Sequence, residues 1–259
     1  MGNLNTGDLF IFGASELVGM MLLILLGNGV VATCILNGTK GKGSGWLTIT
    51  FGWFAAIFVA VMVSQKIASY SDPSLPTALL NPVFVINNLL IYAKTGTAGL
   101  PIAAGMIALL GQIIGAIIGQ LFIYVIYKKH YDATEDQATI LGTFSTGPAI
   151  KSFPWNFATE VIATFVLVFA AASIGATSEG AFAQSGLFVG LIVFAVGVSL
   201  GSATGYSLNP FRDLIPRLVH QVLPMKNKGS SDWSYSWIPV LGPIVGGLIG
   251  VIMAPGLFY

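Results

Sequence analysis

The chain has 259 residues, of which 55% are apolar and only 8% are charged, and its mean hydropathy is +0.84. Because about a quarter of the residues in a soluble domain are charged, this composition excludes an ordinary soluble protein. A net charge of +1 without a basic, aromatic-interleaved run predicts no nucleic-acid partner, and a single cysteine excludes a disulfide framework.

Six apolar segments are long enough to cross a bilayer, which takes about 20 mainly apolar residues. They cover residues 9–34, 46–65, 99–127, 157–175, 181–200 and 237–257. No basic segment precedes the first of them, so we interpret it as a retained membrane helix and not as a cleaved signal. The sequence therefore predicts an all-α membrane protein with six transmembrane helices.

Two shorter apolar stretches each open with Leu-Asn-Pro. Pro in the first helical turn loses no hydrogen bond and Asn is a favoured N-cap, so Asn81-Pro82 and Asn209-Pro210 predict helix starts. One such pair alone would indicate an ordinary N-cap, but two in a duplicated membrane chain indicate re-entrant half-helices. The predicted half-helices cover residues 81–92 and 209–221.

The pattern of motifs also indicates an internal duplication of the chain. Each half contains a Glu-bearing span, a second span, an Asn-Pro half-helix and a span with a glycine stripe. The stripes are Gly111, Gly115 and Gly119 in the first half and Gly242, Gly246 and Gly250 in the second. We predict one channel domain over residues 1–259, built from repeats at 1–130 and 155–259. Three spans per repeat make the second repeat inverted, and inverted repeats with broken helices place a ligand site near the membrane midplane.

Two half-helices entering from opposite faces would meet at their positive N-termini. Such helix ends, together with an arginine, exclude protons and cations from a water-filled pore while neutral solutes pass. We expect Asn81 and Asn209 to donate to the permeant, and the backbone carbonyls of the preceding segments to accept from it. These carbonyls belong to Ala78, Leu79, Leu80, Tyr206, Ser207 and Leu208.

Charged residues at membrane depth need a polar pathway or a partner. Arg212 directly follows the second Asn-Pro-Phe, so it faces the pathway, pairs with Asp213, or does both. Glu16 and Glu160 either accept hydrogen bonds from the half-helix loops or titrate as a proton relay. We favour the structural role, and assign both glutamates and Asp213 to loop support.

At these residues the sequence resembles the major intrinsic proteins, the family of aquaporins and glycerol channels, over nearly its whole length. GSATGYSLNPFRDLIPRL is similar to the second family signature, and the Asp after the Arg is typical of the glycerol-conducting branch. LLGNGVVATCILNGTKG and YDATEDQATILGTFST resemble glycerol facilitator-aquaporins of lactic acid bacteria. The resemblance implies a homotetramer of six-helix bundles in a bacterial plasma membrane, each with its own pore and no cofactor or metal.

The resemblance also implies a selectivity filter made of Phe51, Gly197, Tyr206 and Arg212. Gly197 would leave room where water-restricted members of the family carry His. Phe51 and Tyr206 would form an aromatic corner against the carbon backbone of a polyol, and Arg212 would donate to its hydroxyl groups.

Two features depart from the family pattern. The family motif is Asn-Pro-Ala, but the third residues here are Val83 and Phe211. Phe211 would either narrow the pore or repack the contact between the half-helices, and we expect the pore to stay continuous. The first re-entrant loop, between residues 52 and 81, is longer than in the glycerol facilitator of enteric bacteria and forms a gate or a surface bulge.

The resemblance implies cytoplasmic termini, although the lysines favour the opposite orientation. This orientation leaves seven lysines outside and only Lys66 and Lys94 inside, whereas the positive-inside rule puts lysine-rich loops in the cytoplasm. The outer lysines would be Lys40, Lys42, Lys128, Lys129, Lys151, Lys226 and Lys228.

The expected function is a passive channel for glycerol, water and other small uncharged solutes. One alternative is a channel tuned to dihydroxyacetone, urea, hydrogen peroxide or undissociated lactic acid, and another is a proton-coupled carrier that uses Glu16 or Glu160. An enzyme is disfavoured because neither His130 nor His220 lies in a predicted span, and the sequence has no GxSxG or HExxH motif.

Overall fold

The computed structural model describes residues 5–177 and 186–254. Ten α-helices and one short 3-10 turn, and no strand, occur within these residues. The helices are α1 (Thr6–Ile35), α2 (Gly45–Ala68), α3 (Pro82–Thr95), α4 (Ile102–Ile126), α5 (Lys128–Ala133), α6 (Gln137–Gly142), α7 (Phe153–Thr177), α8 (Gly186–Ser199), α9 (Pro210–Val222) and α10 (Ile238–Met253).

Four of these helices, α1, α2, α4 and α7, are long and apolar enough to cross a membrane. The helices α8 and α10 are apolar but shorter, with 14 and 16 residues. Of the fifth and sixth predicted spans, residues 181–185 and 255–257 lie outside the described residues. Two short helices were not expected: α5 begins at the end of the first predicted repeat, and α6 lies between the two repeats.

The half-helices α3 and α9 begin at the two prolines of the Asn-Pro pairs. In α3 the Asn81 Oδ1 accepts a hydrogen bond from the Val83 amide at 2.9 Å, and in α9 the Asn209 Oδ1 accepts one from the Phe211 amide at 3.0 Å. An Asn cap satisfies amides that have no partner inside the helix, which fixes the start of each helix.

The glycine stripes bring pairs of long helices into backbone contact. A Cβ atom added at Gly115 in α4 would lie 2.1 Å from the Leu17 carbonyl oxygen of α1, and one added at Gly246 in α10 would lie 2.2 Å from that of Val161 in α7. Small residues allow this close approach between membrane helices. The pairs α1/α4 and α7/α10 then hold one buried glutamate each beside the loop that leads into a half-helix.

Candidate functional site

A central cavity of about 220 Å³ lies where the two half-helices begin. Apolar side chains from α1, α2, α7 and α8 form one part of its lining. The polar side chains that line it are Gln65, Thr77, Asn81, Tyr206, Ser207, Asn209 and Arg212. A mainly apolar cavity with a few placed polar groups is the usual form of a small-molecule site.

Reciprocal hydrogen bonds join the starts of the two half-helices. The Asn81 Nδ2 donates to the Leu208 carbonyl at 2.9 Å, and the Asn209 Nδ2 donates to the Leu80 carbonyl at 2.8 Å. An amide nitrogen carries two hydrogens and a carbonyl oxygen has two lone pairs. Both groups therefore keep capacity for a solute in the cavity after they have bound each other.

The segments before the half-helices have an unusual backbone. Ala78, Leu80, Tyr206 and Leu208 all have positive φ, at 54°, 47°, 38° and 56°, although none of them is glycine. Such conformations cost about 1 to 3 kcal/mol each and persist only where the surroundings fix them. All six residues expected to offer carbonyls line the cavity.

Glu16 on α1 fixes the first of these segments. Its carboxylate accepts hydrogen bonds from the Leu79 amide at 2.7 Å and the Leu80 amide at 2.8 Å. The Gln112 Nε2 of α4 donates to it at 2.7 Å. Glu16 is fully buried and does not line the cavity, so its bonds hold the loop and do not reach a solute.

Glu160 on α7 holds the second segment in the same manner. It accepts hydrogen bonds from the Thr204 hydroxyl at 2.7 Å, the Ser207 amide at 3.1 Å and the Leu208 amide at 3.4 Å. It too is fully buried and does not line the cavity. Both glutamates thus hold the left-handed residues in place through hydrogen bonds from the loop amides.

Arg212 lines the cavity beside Trp53, an aromatic residue that was not among the predicted filter residues. The Arg212 guanidinium carbon lies 4.3 Å from the centre of the Trp53 ring, a cation–π distance. Three buried polar atoms of this region have no hydrogen-bond partner among the described residues: the Arg212 Nη1, the Trp53 Nε1 and the Tyr206 hydroxyl. This end of the cavity therefore has unused hydrogen-bond donors.

Phe51 does not line the cavity, so its predicted place in the filter is wrong. Its side chain is 57% exposed and packs against Phe54 and Phe194 on the outer surface. A step of two residues along a helix changes the direction of the side chain by about 200°. Trp53 thus faces the cavity, whereas Phe51 faces away from it.

Gly197 also differs from its expected role, because the space beside it is filled. A Cβ at Gly197 would lie 3.0 Å from the Thr50 Cγ2 and 3.0 Å from the Tyr206 Cζ. The Gly197 carbonyl accepts a hydrogen bond from the Trp46 Nε1 at 3.0 Å, and the Trp46 ring meets the Tyr206 ring edge-on. Gly197 thus makes room for the Tyr206 ring and not directly for a solute.

Asp213 pairs with Arg217 and not with Arg212, so the expected alternative of an Arg212–Asp213 pair is wrong. The Arg217 Nε and Nη2 donate to the two Asp213 oxygens at 2.9 and 3.0 Å, and both side chains are fully buried. Asp213 also accepts from the amide and the hydroxyl of Thr146 at 2.7 Å. The i, i+4 spacing of Asp213 and Arg217 is the sequence signal that would have found this pair.

The enlarged third residues of the motifs lie outside the cavity lining. Val83 is 1% exposed and packs with Val168 and Val251. Phe211 is partly buried against the main apolar core. The sizes of Val83 and Phe211 therefore affect helix packing and not the walls of the cavity.

A family model described as Major intrinsic protein matches residues 11–254. The chain is 44% identical to a glycerol uptake facilitator protein of Streptococcus pneumoniae, over 92% of this chain and 95% of that protein. It is 42% identical to glycerol uptake facilitator protein 3 of Lactiplantibacillus plantarum, over 92% of this chain and 93% of that protein.

Among solved structures, the X-ray structure of the aquaglyceroporin from Plasmodium falciparum matches with a TM-score of 0.75 and 22% identity, over 93% of both chains. At this identity the match concerns the fold. It confirms the predicted all-α, aquaporin-like architecture.

Proposed function

The chain belongs to the major intrinsic protein family, and on that basis we propose that it is a passive channel for glycerol, water and other small uncharged solutes. The observation that carries this proposal is the reciprocal pair of bonds between Asn81, Asn209 and the opposite loops at the central cavity. The bonds bring two positive helix ends together, each equivalent to about half an elementary charge. With Arg212 beside them, the cavity opposes cations and admits neutral molecules.

A polyol matches the two sides of the cavity. Its carbon backbone would lie against the apolar side, where Trp53 takes the place first given to Phe51. Its hydroxyl oxygens would accept from Arg212 and Tyr206, and its hydroxyl hydrogens would be donated to the carbonyls before the half-helices. We accordingly assign the filter to Trp53, Tyr206 and Arg212, with Gly197 as the residue that lets the Tyr206 ring fit.

The hydrogen bonds of the glutamates favour a channel over a proton-coupled carrier. Glu16 and Glu160 are occupied by backbone amides of the loops and are not exposed to the cavity. A relay residue would need contact with the solute or with water in the pathway. Proton-coupled uptake would require these loops to rearrange in every transport cycle.

We further propose a homotetramer in a bacterial plasma membrane, with cytoplasmic termini. The family resemblance supports this arrangement, whereas the lysine-rich loops oppose the orientation. Crosslinking in native membranes tests the tetramer. Labelling of a Lys40→Cys variant with a membrane-impermeant thiol reagent tests the orientation. Labelling in intact cells is expected, and labelling only after lysis would place the termini outside.

Stopped-flow light scattering on proteoliposomes tests the channel itself. Vesicles are first shrunk with an impermeant osmolyte, which reports water flux, and then with glycerol, which reports re-swelling. Fast shrinkage and fast re-swelling at low activation energy, relative to empty vesicles, are the expected results. Glycerol flux no faster than in empty vesicles would overturn the glycerol assignment, and the smaller neutral solutes would then be assayed in the same vesicles.

A further inference from the structure

A second cavity of about 410 Å³ lies at the membrane face where α1 begins and α2 ends. We call it the polar vestibule, and it is lined by Gln65, Ala68, Ser69, Ser71, Asp72, Pro73 and Thr77. Gln65 and Thr77 also line the central cavity, so the two spaces adjoin. A solute that enters or leaves at this face therefore passes the long first loop.

The serines of the polar vestibule present hydrogen-bond acceptors. The Ser69 hydroxyl donates to the Lys66 carbonyl at 2.7 Å, and the Ser71 hydroxyl donates to the Ala68 carbonyl at 2.7 Å. Each hydroxyl has only one hydrogen, so the remaining capacity of both oxygens is to accept.

Asp72 adds a negatively charged acceptor to the same lining. Its Oδ1 accepts from the Ser74 amide at 2.8 Å. Hydrogen bonds from Ser74 lower the pKa of the Asp72 carboxyl below its ordinary value, so the group is ionised at neutral pH. An ionised carboxylate has about four lone-pair sites, and Ser74 leaves some of them for a ligand.

The unused side-chain groups of the two cavities differ, although the loop carbonyls also give the central cavity acceptors. Donors with no partner among the described residues, on Trp53, Tyr206 and Arg212, lie in the central cavity. Acceptors on Ser69, Ser71 and Asp72 line the polar vestibule. A ligand that binds Ser69, Ser71 and Asp72 must bring its own donors, as hydroxyl groups do, and Asp72 repels a carboxylate.

We propose that the polar vestibule is a binding subsite for the hydroxyl groups of a polyol, with Asp72 as its specificity-determining residue. This inference rests on the proposed glycerol channel and adds a place where the solute binds outside the filter, at the face where α1 begins. A water molecule has two hydrogens and donates to at most two of these acceptors, whereas glycerol has three hydroxyl groups. Loss of Asp72 therefore lowers glycerol flux and leaves water flux unchanged.

The test compares wild-type protein with Asp72→Ala in proteoliposomes, with water and glycerol permeability measured on the same preparation. One lost hydrogen bond to a partly exposed carboxylate predicts a fall of about twofold to tenfold in glycerol permeability. Asp136→Ala is the matched control, because the Asp136 Oδ2 accepts from the Thr139 amide at 2.8 Å and lines neither cavity. We expect the control to match the wild type for both solutes.

Asp72→Asn separates solute binding from loop geometry. It keeps the Oδ1 acceptor that Ser74 uses, but it loses the charge and replaces one acceptor with a donor. A partial loss of glycerol permeability in Asp72→Asn, with normal water flux, supports the subsite. Normal glycerol flux in Asp72→Asn, together with loss of both fluxes in Asp72→Ala, would assign Asp72 to the loop turn and overturn the proposal.

The failure of this inference is distinguishable from failure of the proposed function. If wild-type vesicles conduct glycerol and Asp72→Ala vesicles conduct it equally well, only the subsite is overturned. If wild-type vesicles take up glycerol no faster than empty vesicles, the glycerol channel itself is overturned, and the subsite with it.

Discussion

Substitution of Gly247 tests how the protein accommodates valine as the third residue of its first motif. A Cβ added at Gly247 in α10 would lie 2.1 Å from the Val83 Cγ1 of α3. Ordinary carbon contacts are about 3.5 to 4.0 Å, so one of the two helices would have to move by more than an ångström. We therefore expect Gly247→Ala to separate α10 from the first half-helix.

The expected size of this effect follows from the packing around Val83. Overpacking of a well-packed core costs about 1 to 3 kcal/mol. Val83 also packs against Val168 and Val251, so its methyl group has little room to turn away. We therefore expect Gly247→Ala to lower the unfolding free energy by about 3 kcal/mol. Val83→Ala alone removes two buried methyl groups, and we expect the loss of each to lower the unfolding free energy by about 0.5 to 1.5 kcal/mol.

The double variant gives the decisive comparison. In Val83→Ala/Gly247→Ala the new methyl group fills the space that one valine methyl leaves, so the double variant should be about as stable as Val83→Ala alone. Thermal unfolding in detergent, followed by tryptophan fluorescence, measures all four proteins. Gly29→Ala is the control, because a Cβ there would meet nothing within 4 Å. Equal stability of Gly247→Ala and wild type, or no recovery in the double variant, would refute this account of Val83.

Three further perturbations test the charged groups. Arg212→Ala should raise proton and cation leak, measured with a pH-sensitive dye in liposomes; unchanged leak would count against a barrier at Arg212. Arg217→Leu leaves a buried carboxylate uncompensated and should lower the unfolding free energy by about 3 to 5 kcal/mol, whereas adding Asp213→Leu should recover part of that loss in thermal unfolding. Burial raises the pKa of Asp232, but the opposite effect of hydrogen bonds from Lys151 and Ser234 is larger. The pKa of Asp232 therefore lies below its ordinary value. The contribution of ionised Asp232 to the unfolding free energy is complete above a pH of about 3.9 and is lost as the pH falls through the lowered pKa. The difference in Tm between Lys151→Met and wild type should therefore shrink between pH 7 and pH 3.

The starts of the half-helices could be predicted from the sequence because local chemistry determines them. An Asn side chain caps the helix that follows it, and Pro fits the first turn, whatever the rest of the chain does. Both α3 and α9 begin at the predicted proline. Their last residues are Thr95 and Val222, beyond the predicted ends. Local signals mark both ends, since Gly96 forms a left-handed C-cap after α3 and the extended Leu223 precedes Pro224 after α9.

The side chains that face the cavity were harder to predict. A membrane helix is apolar on all sides, so hydrophobicity does not separate the face toward lipid from the face toward a pore. The resemblance alone placed Phe51 at the filter, two residues from the aromatic that faces the cavity. The small and polar residues Thr50, Ala60 and Ser64 lie on the same buried face as Trp53, and this pattern in α2 was the available signal.

The contrast between Arg212 and Asp213 shows how one short segment serves two purposes. Consecutive residues of a helix point about 100° apart, so these oppositely charged neighbours cannot face the same surroundings. Arg212 points toward the cavity and Trp53, with one guanidinium nitrogen unpaired among the described residues. Asp213 points the other way, to Arg217 one turn later and to Thr146 of the loop before α7. Because Asp213 is occupied by Arg217, the charge of Arg212 is not neutralised by its neighbour and remains available to repel cations and to bind hydroxyl oxygens.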